Sequence, residues 1–118
     1  MKHAPFLNTD EATFEDLVLK ASHEKPVIVD FWAEWCAPCI HLAPTLDKAM
    51  LEFQDRVTLA KVEVDDNMKL AGHYRLKGFP TVIYYHEGEE RDRFSGAKPL
   101  AFIRGFLQRN LAAHAEPS

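Results

Sequence analysis

Apolar positions along the chain change their spacing several times, and each change marks an element. Phe14, Leu17, Val18 and Ala21 follow the i, i+3, i+4, i+7 spacing and predict a first helix, with Asn8 and Thr9 as its expected caps. Asp10, Glu11, Glu15 and Asp16 put negative charge in its first turns, where the helix dipole favours it. Pro26 then opens Val27-Ile28-Val29-Asp30-Phe31-Trp32. A short, nearly continuous apolar run rich in β-branched residues predicts a strand covered on both faces. After Cys36 a helical spacing runs through Ile40, Ala43, Leu46, Met50 and Phe53. Pro44 lies inside it and predicts a kink, because proline removes a backbone donor and clashes one turn back. Residues 57–64 read as a strand with Ala60, Val62 and Val64 on one face, and residues 67–74 as a short helix. Residues 81–85 and 91–94 predict a hairpin around Glu87-Gly88-Glu89. Phe102, Ile103, Phe106, Leu107 and Leu111 define a last amphipathic helix, and residues 112–118 read as a frayed tail.

The resulting order is helix, strand, helix, strand, helix, strand, strand, helix. The early strand–helix–strand unit implies a parallel pair joined by a right-handed crossover, and the late hairpin adds antiparallel strands. The fold class is therefore α/β: a mixed sheet of four or five strands with helices on both faces. A length of 118 residues fits one domain, 1–118, with its core at about 8–111. With 47% of its residues hydrophobic, the chain can bury a real core, which excludes a disordered protein. A net charge of −4 gives no basic footprint, so no nucleic acid is expected as a partner. No stretch approaches the roughly 18–20 apolar residues of a membrane helix, so no membrane is expected either. The first seven residues carry one lysine and no apolar run, so they do not read as a secretory signal, and the expected location is cytoplasmic.

Cysteine usage changes the picture most. The two cysteines, Cys36 and Cys39, stand three positions apart, and a bridge between them would close too small a loop to constrain the unfolded chain. Stability explains such a pair poorly. It falls where the buried strand ends and the next helix begins, and a helix N-terminus presents free N–H groups and a positive dipole end that stabilise a thiolate. The thiolate is the species that attacks disulfides. Cys36 is expected at an exposed tip as the attacking group, with Cys39, nearly a turn further in, covered and placed to resolve a mixed disulfide. Pro38 is tolerated there because its missing donor would be unpaired in a first turn. Half of a zinc site and a pair of inert buried cysteines are the competing readings. Structural zinc needs four ligands, however, and the six histidines show no paired ligand spacing. A C-x-x-C in a strand–helix–strand context favours redox chemistry, and no metal is expected.

The segment Val29-Asp30-Phe31-Trp32-Ala33-Glu34-Trp35-Cys36-Ala37-Pro38-Cys39 resembles the active-site segment of the thioredoxin family. Ala43-Pro44, Ala60-Lys61-Val62, Val64-Asp65, Gly78-Phe79-Pro80-Thr81 and Gly96-Ala97 follow in the family's order and spacing, so the resemblance covers roughly residues 12 to 111. It implies a thioredoxin fold and a redox disulfide between Cys36 and Cys39. It further implies that Asp30 acts as a base toward Cys39, that Lys61 lies near Asp30, and that Pro80 follows a cis peptide bond facing the cysteines. Asp30 stands in an otherwise apolar strand, where burial raises a carboxyl pKa and suits it to exchange a proton with a thiol. A solvent-facing aspartate at a strand edge and a plain surface lysine are the alternatives. The substrate groove implied by the resemblance comprises Trp35, Ala37, Pro38, Phe79, Pro80, Gly96 and Ala97, along which an extended client segment pairs as an added strand.

Two departures bear on redox poise. Ala37 stands where the family commonly has glycine, and Ile40 where a lysine is common; about 30 mV corresponds to roughly 1.4 kcal/mol for a two-electron couple. His41 is also unusual there and reads as a solvated helix-face residue. The implied function is protein-disulfide reduction by a monomer without a cofactor. Its partners are protein disulfide substrates and an external electron donor of the thioredoxin-reductase kind, because no G-x-G-x-x-G motif is present to hold a nicotinamide or flavin. The alternative is a partner-specific redox or binding module.

Overall fold

Period-two alternation in one central strand decides which face of the sheet each functional side chain meets. Strand β2 (Val27–Trp32) points Val27, Val29 and Phe31 to one face and Ile28 and Asp30 to the other. The computed structural model describes residues 3–114, so the last part of the expected tail, residues 115–118, lies outside the described residues. β2 is flanked by β3 (Thr58–Glu63), parallel to it, and by β4 (Thr81–His86), antiparallel to it. β5 (Glu89–Ser95) closes one edge as the hairpin partner of β4, and β1 (Leu7–Asn8) pairs parallel to β3 at the other. The strand order is β1-β3-β2-β4-β5. This is the mixed α/β sheet the sequence predicts; its fifth strand is two residues long, too short to leave a periodicity.

Helices α1 (Ala37–Phe53) and α3 (Leu100–Ala113) cover the face that carries Ile28, Leu59, Val82 and Tyr84. The opposite face, with Val29, Phe31, Val62, Ile83 and Tyr85, is covered by Phe14 and Val18 and bordered by α2 (Met68–His73). α1 runs unbroken through Pro44.

Four local expectations are corrected. The first helical segment is a π-helical turn, Glu15–Lys20, followed by a 3-10 turn, Ala21–His23, because eight residues of i, i+3, i+4 spacing do not distinguish 3.6 residues per turn from a wider winding. Its cap is Asp10, whose Oδ1 accepts the Thr13 N–H at 2.9 Å. Asn8 and Thr9 are instead committed to the sheet edge, Asn8 within β1 and Thr9 donating its N–H to the Lys61 carbonyl. The hairpin loop is only Glu87-Gly88, both at positive φ (55° and 79°), as a two-residue turn that follows the strand twist requires. A Cβ on Gly88 would lie 2.9 Å from His23 Nε2, so a larger residue there would also have to displace the His23 ring. Finally, Ala112 and Ala113 belong to α3. The buried Asn110 side chain donates to Asp92 at 2.9 Å, and Arg109 donates to the same carboxylate at 3.1 Å, which pins the last turns to β5.

Candidate functional site

β2 ends at Trp32, and after Ala33-Glu34-Trp35 the chain enters α1 with Cys36 as its N-cap residue. The N-cap has extended backbone (φ −96°, ψ 102°), and the Cys39 N–H donates to Cys36 Sγ at 3.2 Å. Ala37 and Pro38 fill the first helical positions, where proline's missing donor costs nothing. The local sequence thus places one sulfur where the helix's unpaired N–H groups converge. Charge on that sulfur would turn the contact into a charge-assisted hydrogen bond, roughly twice as strong as a neutral one.

Cys36 and Cys39 are joined as a disulfide, with Cα atoms 5.3 Å apart. The expected difference in exposure is corrected: Cys36 is 4% exposed and Cys39 3%. Bonding to Cys39 turns the Cys36 sulfur back over the first turn of α1, and both join the buried cluster of Phe31, Ala33, Val62 and Val64. What is exposed at the tip is Trp35, at 66%, with Ala37 and Pro38.

Asp30 is 2% exposed, and its Oδ1 has no hydrogen-bond partner among the described residues. It lines a cavity of about 290 Å³ together with Cys39, Ile40 and Ala43 of α1, Trp32, Lys61 of β3, and Phe6 and Asn8 of the N-terminal segment. Burial pushes its carboxyl up to about 6, against a smaller opposing pull from the Lys61 charge. A carboxylate is therefore held beside Cys39 in a state that exchanges protons near neutral pH. Lys61 is the register partner of Asp30 across β2 and β3, yet the two make no ion pair; the Lys61 ammonium sits over the Phe6 ring, 4.4 Å from its centroid.

The implied groove residues come from separate elements: Trp35, Ala37 and Pro38 flank Cys36 in sequence, and Phe79 packs against the buried cluster that holds both cysteines. Trp35 and Phe79 meet edge to face, ring centroids 6.1 Å apart, and the indole N–H donates to both Asp65 oxygens at 3.0 and 3.2 Å. The Phe79–Pro80 peptide bond is cis. The Gly96 N–H donates to the Pro80 carbonyl at 2.8 Å, which draws the exit of β5, with exposed Ala97, beside Pro80. Gly96 adopts φ +91°, a conformation open to glycine, so this junction depends on the residue type. His41 is exposed on α1 and takes no part. Ile40 is also exposed and forms part of the cavity wall.

Three further residues shape the site without a periodic signal in the sequence. Asp65 orients Trp35, and only its place after Val64 could have drawn attention to it. Met68, exposed at the start of α2, lines a cavity of about 320 Å³ with Trp35, Leu76 and Phe79. Phe6 lies over Lys61, a meeting set by the β1–β3 pairing, which leaves no periodic signal. Among the described residues no three His, Cys, Asp or Glu side chains are grouped to hold a metal ion, and no helix is long and apolar enough to cross a membrane.

Comparison with known proteins gives a consistent picture. A family model described as Thioredoxin matches residues 5–109. The chain is 37% identical to "Thioredoxin 1" of Synechococcus elongatus over 101 residues, covering 86% of this chain and 92% of that protein. It is 35% identical to the thioredoxin of Pseudomonas aeruginosa over 105 residues (89% and 95%). It is 44% identical to that of Streptomyces clavuligerus over 96 residues (81% and 87%).

Proposed function

The chain belongs to the thioredoxin family and is a thiol–disulfide oxidoreductase, and on that premise we propose that it works as a general reductant of protein disulfides. The carrying observation is the redox pair itself: Cys36 and Cys39 closed as a disulfide at the N-terminus of α1, with the buried Asp30 carboxyl in the cavity that Cys39 lines. In the reduced protein the Cys36 thiolate attacks one sulfur of a client disulfide. A bond forms between Cys36 and that sulfur, and the client's other sulfur leaves as a thiolate. Cys39 then gives its proton to the Asp30 carboxylate, and its thiolate attacks Cys36 Sγ. The second client sulfur leaves, so two electrons pass to the client and the pair ends oxidised. Asp30 is the base in this scheme, and Lys61 tunes it by charge.

Client recognition falls to the apolar surface of Trp35, Ala37, Pro38, Phe79, Pro80, Gly96 and Ala97, whose side chains carry no charge. Such a surface takes up backbone and apolar side chains from many sequences, which suits a broad client set. No cofactor enters the scheme. Electrons return from a separate reductase, and the protein acts as a single-domain cytoplasmic monomer. Cys39→Ser leaves the first attack intact and removes the resolving thiol, so clients stay bound. Incubated in cell extract, this variant is expected to trap many unrelated proteins as disulfide-linked adducts. A single trapped client, or a reduction potential for the native protein near about −120 mV, the range of disulfide-forming oxidants, would overturn the general-reductant reading.

A further inference from the structure

Asp30 and Lys61 are lateral neighbours on parallel strands, so their side chains share a face, and a four-carbon stem lets an ammonium reach the adjacent carboxylate. Opposite charges so placed in a sheltered cavity are expected to pair. They do not. The Asp30 Oδ1 is left unpartnered, while the Lys61 ammonium lies over the Phe6 ring. The ring's negative face offers the ammonium a competing site that needs no counter-charge.

Phe6 is held in place from both sides. Ahead of it, the Ala4 N–H donates to Asp47 Oδ1 at 2.6 Å, and His3 Nδ1 lies 3.1 Å from Asp47 Oδ2. Behind it, Leu7 and Asn8 pair with Ala60 and Lys61. The segment is therefore tied to both α1 and β3, and Phe6 caps the cavity between them.

We propose that Phe6 is a positioning residue for the exchange reaction: its ring holds the Lys61 ammonium away from Asp30 and so keeps that carboxylate without a direct counter-ion. An ion-paired carboxylate is a poor proton acceptor, whereas an unpaired buried one binds a proton readily. The groups facing Asp30 are few. β3 presents Lys61, α1 presents Cys39, and the N-terminal segment presents Phe6 and Asn8, which do not titrate near neutral pH; the β4 register partner is Val82. Among the described residues, Lys61 is thus the one charged side chain that lines this cavity with Asp30 and Phe6. The inference rests on Asp30 serving as the base toward Cys39.

In the disulfide form neither cysteine titrates, so the Asp30 carboxyl can be followed alone by carbon-13 NMR across pH 3–9. Phe6→Leu keeps an apolar cover and removes the ring face, and Phe6 is 48% exposed, so the fold tolerates the change. The native midpoint is expected at about 6 and that of Phe6→Leu lower by about one pH unit, as an approaching cation dictates. In a Lys61→Met background the same Phe6→Leu change is expected to leave the midpoint unmoved. An unshifted midpoint in Phe6→Leu overturns the proposal. So does an equal downward shift with Lys61 absent, since Phe6 would then act only by excluding water. Whether Asp30 is the base is judged separately, by whether Asp30→Asn changes the pH profile of disulfide reduction, so the two ideas fail independently.

Discussion

Cys36→Ser is expected to lower the rate of disulfide reduction by at least about 1,000-fold, the order of loss that follows removal of a covalent nucleophile. A serine hydroxyl keeps the N-cap geometry and can still accept the Cys39 N–H, so the fold survives and the loss is chemical. Cys39→Ser is expected to fail differently. Its turnover falls comparably, but the first attack persists, giving a burst of one client sulfur released per protein molecule followed by arrest. Stopped-flow kinetics on a chromogenic disulfide separates the two: no burst for Cys36→Ser, a stoichiometric burst for Cys39→Ser. The asymmetry follows from position. Cys36 is the N-cap whose sulfur accepts an N–H of the first turn, and Cys39 lies inside the helix beside the Asp30 cavity.

Asp30→Asn is expected to stabilise the oxidised protein by roughly 3 kcal/mol at pH 7.5 and by almost nothing at pH 4. Burial raises the folded-state carboxyl from the ordinary 3.8 to about 6. Between those values the folded state holds more protons than the unfolded state, so native stability falls as pH rises through this window and levels off above it. About two units at 1.36 kcal/mol each set the size of the fall. Asparagine copies the shape of the protonated acid and cannot ionise, so the variant lacks this loss. Urea titrations of both proteins at pH 4, 5.5 and 7.5 measure it; a difference that stays constant across pH would contradict the assignment. A buried carboxyl that ionises near pH 6 is what the proposed proton exchange with Cys39 requires.

The parts of this fold that repeat or alternate were legible in the sequence. The apolar run of β2, the helical spacing of α1 and α3, and the C-x-x-C between β2 and α1 each carry a period or a spacing, and the mixed sheet follows from the order of the elements. What was not legible depends on contacts distant in sequence. The role of Phe6 arises because a two-residue strand lays it against Lys61, 55 positions later in the chain. Asp10 replaced Asn8 and Thr9 as the cap because those two residues are taken up at the sheet edge. The burial of Cys36 was not legible either, because spacing describes the backbone and not where a sulfur bonded to Cys39 comes to lie. Asp30 was legible as an anomaly, a carboxylate inside an apolar run; that it lacks an ion pair with Lys61 was not.

In the proposed exchange Cys36 forms the covalent bond with the client and Cys39 breaks it. Peptide mapping by mass spectrometry of the adduct between the reduced Cys39→Ser variant and a purified disulfide-bonded client tests it most directly. One adduct is expected, joined through Cys36, and none detectable under the same conditions with Cys36→Ser. An adduct formed through Cys39 in the Cys36→Ser variant at a comparable rate would contradict it.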